Sequence, residues 1–196
     1  MAGFEVSING RFWVSTEGRS KHRPRNDPSL FREARYPIVQ TGDVARSKGT
    51  VETYTAMYGE RGLAQSRLWP SGTLCITIAA NIADSGLLAF DACFPDSVVG
   101  FLPDSEIGDA RYFEFFLRTA KQRIEDFAPA TAQKNINLEI LSNVLVPLPP
   151  KPEMERIVTK VERLMTLCDC LESQLRCAAD RASTLARAVV ATTALE

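Results

Sequence analysis

Histidine, paired cysteines and glycine-rich phosphate loops are what this 196-residue chain has least of. Its one histidine, His22, sits between Lys21 and Arg23 with no nucleophile beside it in sequence. It therefore reads as a residue of a basic surface loop and not as a general base. The five cysteines, at 75, 93, 168, 170 and 177, are odd in number and form no CxxC pair. A disulfide framework and a thiolate zinc site are both excluded, and reduced thiols in a cytosolic protein are expected. Neither GxxxxGK[ST] nor GxGxxG occurs, so nucleotide hydrolysis and dinucleotide chemistry have no support. Carboxylates are scattered, with no pair whose spacing singles it out. No apolar run approaches the ~20 residues that cross a bilayer, and the amino terminus has no basic segment followed by an apolar one. Catalysis, a resident metal and a membrane are thus all without a trace in the sequence, and no cofactor is expected in the chain.

What is present is ordinary globular composition, 45% hydrophobic and 24% charged, with ten Phe, four Tyr and two Trp for a core. The formal charge is -1, but it is unevenly spread. From Arg11 to Lys48 there are nine basic residues against four acids, and from Asp84 to Glu114 seven acids against Arg111 alone. One face is expected to be electropositive although the sum is near zero.

Two parts follow one another along the chain. Residues 1–150 read as strands and turns with one late helix, and residues 151–196 as a single long helix. The cluster Val146-Pro147-Leu148-Pro149-Pro150-Lys151-Pro152 divides them, because prolines hold the backbone extended, forbid helix before them and suit a helix's first turn. In the first part Tyr36–Thr41 reads as a strand ending in a turn at Gly42-Asp43. Further turns are expected at Ser47–Thr50, Gly59–Gly62 and Trp69–Gly72. The β-branched alternation of Thr73-Leu-Cys-Ile-Thr-Ile-Ala is the best strand signal, and Gly86–Phe90 and Ser97–Leu102 follow. Residues 110–127 read as a helix capped by Asp109, with Tyr112, Phe113, Phe116, Leu117, Ala120, Ile124 and Phe127 on one face. The fold class is α+β: a strand-rich domain followed by one long projecting coiled-coil helix.

The helix carries the clearest periodicity. Ile157, Val161, Leu164, Cys168, Leu171 and Leu175 open a series spaced four and three that runs to Val189 without a slip, the seam of a coiled coil. From Glu153 to about Val190 such a helix is on the order of 55 Å long. It has to meet another helix, and these six residues are the expected interface.

Recognition is the remaining class of activity. Arg19-Ser-Lys-His-Arg-Pro-Arg25 crowds cations around a proline, a segment suited to phosphate contacts. Lys21, Arg23, Arg25, Arg46, Lys48, Arg61 and Gln65 are the first candidates for binding nucleic acid, and Gln133, Lys134 and Asn135 the next. They are cationic or amide side chains near turns, the types that meet phosphates and base edges. The competing reading is a protein-protein adaptor that acts through its coiled-coil helix, which would show no salt-dependent affinity for duplex.

Several segments together carry a family resemblance. They are Tyr36-Pro-Ile-Val-Gln-Thr-Gly-Asp-Val44, Gly59-Glu-Arg-Gly-Leu63, Pro70-Ser-Gly-Thr-Leu74-Cys-Ile-Thr-Ile78 and Val98-Val-Gly-Phe101. Ala132-Gln-Lys-Asn-Ile-Asn137, Pro147-Leu-Pro-Pro150 and Arg156-Ile-Val-Thr-Lys-Val161, running on to Leu167-Cys-Asp-Cys-Leu-Glu172, complete the set. In this order the chain resembles the specificity subunit of Type I restriction-modification systems: one target recognition domain with the conserved helix behind it. Where that family has Glu-Gln after its prolines, this chain has Glu153-Met154.

The resemblance implies a protein without an active site that reads one half of a split double-stranded DNA target, its helix acting as a spacer. It also implies methyltransferase subunits that bring S-adenosylmethionine, and a restriction subunit that brings ATP and Mg. A complete subunit has two recognition domains and two long helices. The chain is thus expected to be a half-subunit that forms a homodimer, or a fragment of a longer protein with a second recognition-domain helix; the terminal Leu195-Glu196 favours the fragment.

Overall fold

A computed structural model gives the fold and describes residues 12–15, 27–79, 82–104, 107–126, 141 and 144–193, with the backbone alone at 12–15, 125–126 and 188–193. The chain divides into two compact units, Met1–Glu155 and Arg156–Glu196.

The first unit is built on a five-stranded sheet. In chain order its strands are β1 (Phe12–Ser15), β3 (Thr50–Val51), β5 (Leu74–Thr77), β6 (Ser85–Leu88) and β7 (Val98–Pro103). In space they run β1-β7-β5-β6-β3. All neighbours are antiparallel except β3, which pairs parallel to β6 through Thr50↔Leu87 and Val51↔Leu88. A two-stranded ribbon pairs β2 (Tyr36–Ile38) with β4 (Ala56–Tyr58), and the isolated bridge Ile38↔Cys93 joins that ribbon to the segment after β6. β5 and β6 are buried along their whole length, as central strands covered on both faces must be.

Between the ribbon's strands lie α1 (Thr41–Arg46) and, just after β4, α2 (Glu60–Leu63). The turn expected at Gly42-Asp43 is instead the first turn of α1. Asp43 receives the Gln40 N–H at 2.9 Å, which closes one of the orphan donors at a helix start and makes this Gly-Asp pair helical. Likewise Gly59-Glu60-Arg61-Gly62 forms one short helix in place of a plain turn.

The core collects Val39, Val44, Val51, Cys75, Leu88, Ala92 and Val98 around Trp69, which stacks on Phe94 at 5.6 Å. Gly100 on β7 makes room for that indole: a Cβ there would stand 2.9 Å from three of its ring carbons. Helix α3 (Ala110–Asp126) packs on β5 and β6. Its buried residues Tyr112, Phe113, Leu117, Ala120 and Ile124 recur at the helical period, as the apolar stripe in the sequence predicts, and Asp109 Oδ1 accepts the Arg111 N–H at 2.9 Å at its start. Phe127, Pro129 and the short turn expected at Leu138–Leu141 lie outside the described residues or on their margin.

The last helix, α4 (Lys151–Thr193), is 43 residues long, about 65 Å at 1.5 Å per residue. It starts inside the proline cluster, with Pro152 at its second position and Pro150 O accepting from the Glu153 and Met154 amides. Its first residues, Lys151–Glu155, belong to the first unit. There Met154 is buried at 2% exposure and fills the space over Gly108. The family's glutamine position is thus occupied by an apolar anchor.

Candidate functional site

The corner between α1 and β3 gathers two of the cations singled out in the sequence. It is built from the Asp43 carboxylate, which is 4% exposed and takes three donors. Oδ2 accepts the Gln40 N–H at 2.9 Å and the Thr55 hydroxyl at 3.2 Å, and Oδ1 accepts Arg46 Nη2 at 2.7 Å. Three donors satisfy this buried carboxylate, and a charge-assisted bond of that length fixes the arginine that makes it. Arg46 lies in the last turn of α1, where its charge also suits the helix dipole. Its side chain is 65% exposed while that of Asp43 is 1% exposed. The guanidinium also passes over Gly42, whose missing Cβ would be 3.2 Å from Nη1. Arg46 is therefore held from beneath and open above.

α1 ends at Ser47, whose hydroxyl donates to Val44 O at 2.7 Å. The chain then turns through Lys48 (φ 49°) and Gly49 (φ 104°) into β3, closed by Thr50 N to Ser47 O at 3.0 Å. Two successive positive φ values are the mark of a type I′ turn; glycine takes the second without cost, whereas lysine at the first is uncommon. α3 holds this turn from behind. Arg111 donates to Gly49 O at 2.8 Å and to Thr50 Oγ1 at 3.0 Å, and Leu87 N donates to the same Gly49 carbonyl. Lys48 is exposed and, among the described residues, has no ion-pair or hydrogen-bond partner. Arg46, Ser47, Lys48, Thr50, Glu52 and Thr53 line a cleft of about 340 Å³ at this corner.

Behind the turn stands Glu114, wholly buried on α3. Among the described residues neither of its oxygens has a hydrogen-bond partner, and Arg118 stands close by, with Nε 3.6 Å from Oε1. Burial pushes its pKa up to about 7 against the lowering pull of Arg118 and Arg111.

Of the other expected binding residues, Arg61 is exposed on α2 and Gln65 half-buried just after it, both outside the cleft. Lys21, Arg23, Arg25, Gln133, Lys134 and Asn135 lie outside the described residues. On α4, Ile157 and Val161 are half-buried, and Leu164, Cys168, Leu171 and Leu175 are exposed. Among the described residues no His/Cys/Asp/Glu cluster has the make-up of a metal site, and no helix is long and apolar enough to cross a membrane. Asp43, Gly42 and Glu114 are neither cations nor amides, and Arg111 lies within a helix and not at a turn, so none of the four stands out in the sequence as a binding residue. The one sequence signal for the first of them is its position three before Arg46 and three after Gln40, a helix-start pattern.

A family model described as the Type I restriction modification DNA specificity domain matches residues 19–177. The Type I restriction enzyme EcoBI specificity subunit of Escherichia coli is 38% identical over 60 residues, 31% of this chain and 13% of that protein. Among solved structures, the crystal structure of the HsdS subunit from Thermoanaerobacter tengcongensis is similar with TM-score 0.62 and 17% identity, over 83% of this chain and 37% of that one. A chain from a structure on complex assembly and conformational transition of the type I R-M system gives 0.63 and 16%, over 83% and 38%. At such identity the likeness shows the fold. The chain spans less than two fifths of the length of these relatives.

Proposed function

Since the chain belongs to the Type I restriction-modification DNA specificity family, we propose that it reads one half of a bipartite duplex target and makes or breaks no bond itself. The observation that carries this reading is the family match across residues 19–177, which takes in the strand-rich unit from β2 onward and more than half of α4. The α1–β3 corner supports it: an exposed arginine held by a carboxylate, and a lysine without a partner among the described residues, beside a polar cleft are what phosphates and base edges require. Helix α4 serves as a spacer. Its length of about 65 Å exceeds one DNA turn of roughly 34 Å, enough to set the distance to a second half-site. Its exposed seam at Leu164, Cys168, Leu171 and Leu175 pairs with the helix of a second recognition domain, from the same parent chain or from a second copy. The chemistry belongs to partners in the cytoplasm: methyltransferase subunits hold S-adenosylmethionine and extrude the target base, and a restriction subunit uses ATP and Mg.

The test is to produce the chain together with the methyltransferase encoded beside it in a host lacking such a system, and to sequence the methylome. A bipartite methylated motif that depends on this chain is the expected result. Complex formation with no methylated motif, or with one indifferent to this chain, overturns the reading and leaves an adaptor. Duplex affinity that falls steeply with salt is the accompanying signature, since each neutralised phosphate releases counterions.

A further inference from the structure

Two cations flank the same cleft but differ in every physical respect. Arg46 is neutralised by a buried carboxylate at 2.7 Å and packed over Gly42. Lys48 is a point charge on a flexible stem, with no partner among the described residues, carried by a turn that α3 holds in place. A phosphate is served best by an uncompensated charge and tolerates a mobile one. A base edge is served best by fixed, directional donors whose charge has been balanced, because its acceptors are neutral and its geometry exacting. Asp43 and Glu52 also face the cleft, and their charge disfavours a phosphate next to Arg46.

We propose that Arg46 is a specificity-determining residue that reads guanine through its major-groove edge, with Asp43 and Gly42 as its positioning residues, while Lys48 meets a neighbouring phosphate. The inference rests on the DNA-reading function proposed above. Guanine follows from the donor count. Asp43 occupies one Nη2 hydrogen, and the exposed side of the planar fork still presents a pair of parallel N–H groups. O6 and N7 of guanine are the adjacent acceptor pair that such a fork spans. Adenine offers a donor at the same place and cannot accept both. Gly42 has its role because any side chain there crowds Nη1 and tilts the guanidinium away from that plane.

The experiment is selection and sequencing of a randomised duplex pool on the full chain, alone and with its methyltransferase, followed by binding isotherms across a salt series. The wild type is expected to enrich a motif containing guanine. R46A loses the preference at one guanine by about tenfold or more, keeps the other positions, and leaves the salt slope unchanged. R46K does not restore it, because an ammonium cannot form the paired contact. K48A keeps the entire motif but binds more weakly, with a salt slope smaller by about one. G42A weakens the same guanine preference several-fold while its melting temperature does not fall, since alanine is the better helix former; a purely structural role for Gly42 predicts no such split. If R46A does not fold, R46K and G42A decide the matter. The proposal is overturned if the Arg46 and Gly42 variants keep every base preference, or if R46A instead lowers the salt slope by one without relaxing the motif, which would make Arg46 a phosphate contact. A wild type that binds no duplex in either setting sinks the DNA-reading function itself, a different and recognisable outcome.

Discussion

Glu114 stands directly behind Gly49: its Oε1 lies 3.1 Å from the point that a Cβ on Gly49 would occupy. The absence of a side chain at residue 49 is thus what lets a buried carboxyl back the turn that carries Lys48. Arg118 Nη1 closes the same space at 3.2 Å. One glycine answers two demands, a φ of 104° and the close approach of two side chains from α3.

Gly49→Ala is accordingly expected to destabilise the fold by about 2 kcal/mol, from the positive φ and the crowding together. Thermal or urea unfolding measures this. The loss should be smaller in the double variant Gly49→Ala, Glu114→Ala, because removing the carboxyl relieves the crowding and leaves the φ cost. Strictly additive losses would show that the two residues do not touch in solution.

Glu114 itself makes stability depend on pH, and the sign is unusual for a carboxyl. Its pKa is raised by burial to about 7 from the ordinary value of 4.5, so the folded state favours the neutral acid. The favourable state is fully present below the unfolded pKa, and stability is lost as pH rises through about 7. A shift of that size corresponds to roughly 3 kcal/mol between acid and mildly alkaline solution. Arg118 and Arg111, the charged groups that face it, act in the opposite direction. Glu114→Gln keeps the shape without the titration, so its melting temperature should gain on the wild type between pH 5 and pH 8. Parallel curves across that range would show that the carboxylate stays ionised throughout.

How much of this was legible beforehand follows from what each element depends on. β5, β6, β7, α3 and α4 are set by local pattern, β-branched runs for the strands and periods of 3.6 and 3.5 for the helices, and their positions agree with the reading of the sequence. β3 has only two residues, and its parallel pairing with β6 is a tertiary fact with no local mark. α1 was hidden because glycine and aspartate in succession signal a turn, and only the Asp43 contacts to Gln40 N and Thr55 make the helix the better outcome. The site divides in the same way. Arg46 and Lys48 are conspicuous as cations near a turn, but the buttress on Arg46 and the α3 residues behind the turn, 62 positions away in the case of Arg111 and Gly49, come together only on folding. The heptad seam was plain throughout, since it is a property of one helix alone.

Met154 takes the place of the glutamine expected after Glu153. It is 2% exposed, and a Cβ on Gly108 would approach its sulfur to 2.5 Å. An unbranched thioether suits such an irregular gap. Met154→Ala should cost about 2–4 kcal/mol through lost burial and the cavity left behind. The midpoint of urea unfolding should fall with little change in its slope. A cost under about 0.5 kcal/mol, the usual size for a surface residue, would mean that the start of α4 is not anchored there.

The cysteines test the seam. Cys75 and Cys93 are buried, and burial raises both thiols above their ordinary pKa, so they should resist a thiol reagent at neutral pH until the protein unfolds. Cys168, Cys170 and Cys177 are exposed on α4. Cys168 lies in the seam, whereas Cys170, two residues on, points to nearly the opposite side of the helix. With the seam unoccupied the two should react at similar rates. Once a second helix covers it, Cys168 should slow by tenfold or more while Cys170 continues at its own rate, and peptide mass spectrometry after brief alkylation distinguishes them. Dilution should bring Cys168 back to the rate of Cys170 if the partner is a second copy, because dissociation follows concentration. Equal rates at every concentration, with the methyltransferase present as well as absent, would show that no helix pairs along Leu164, Cys168, Leu171 and Leu175.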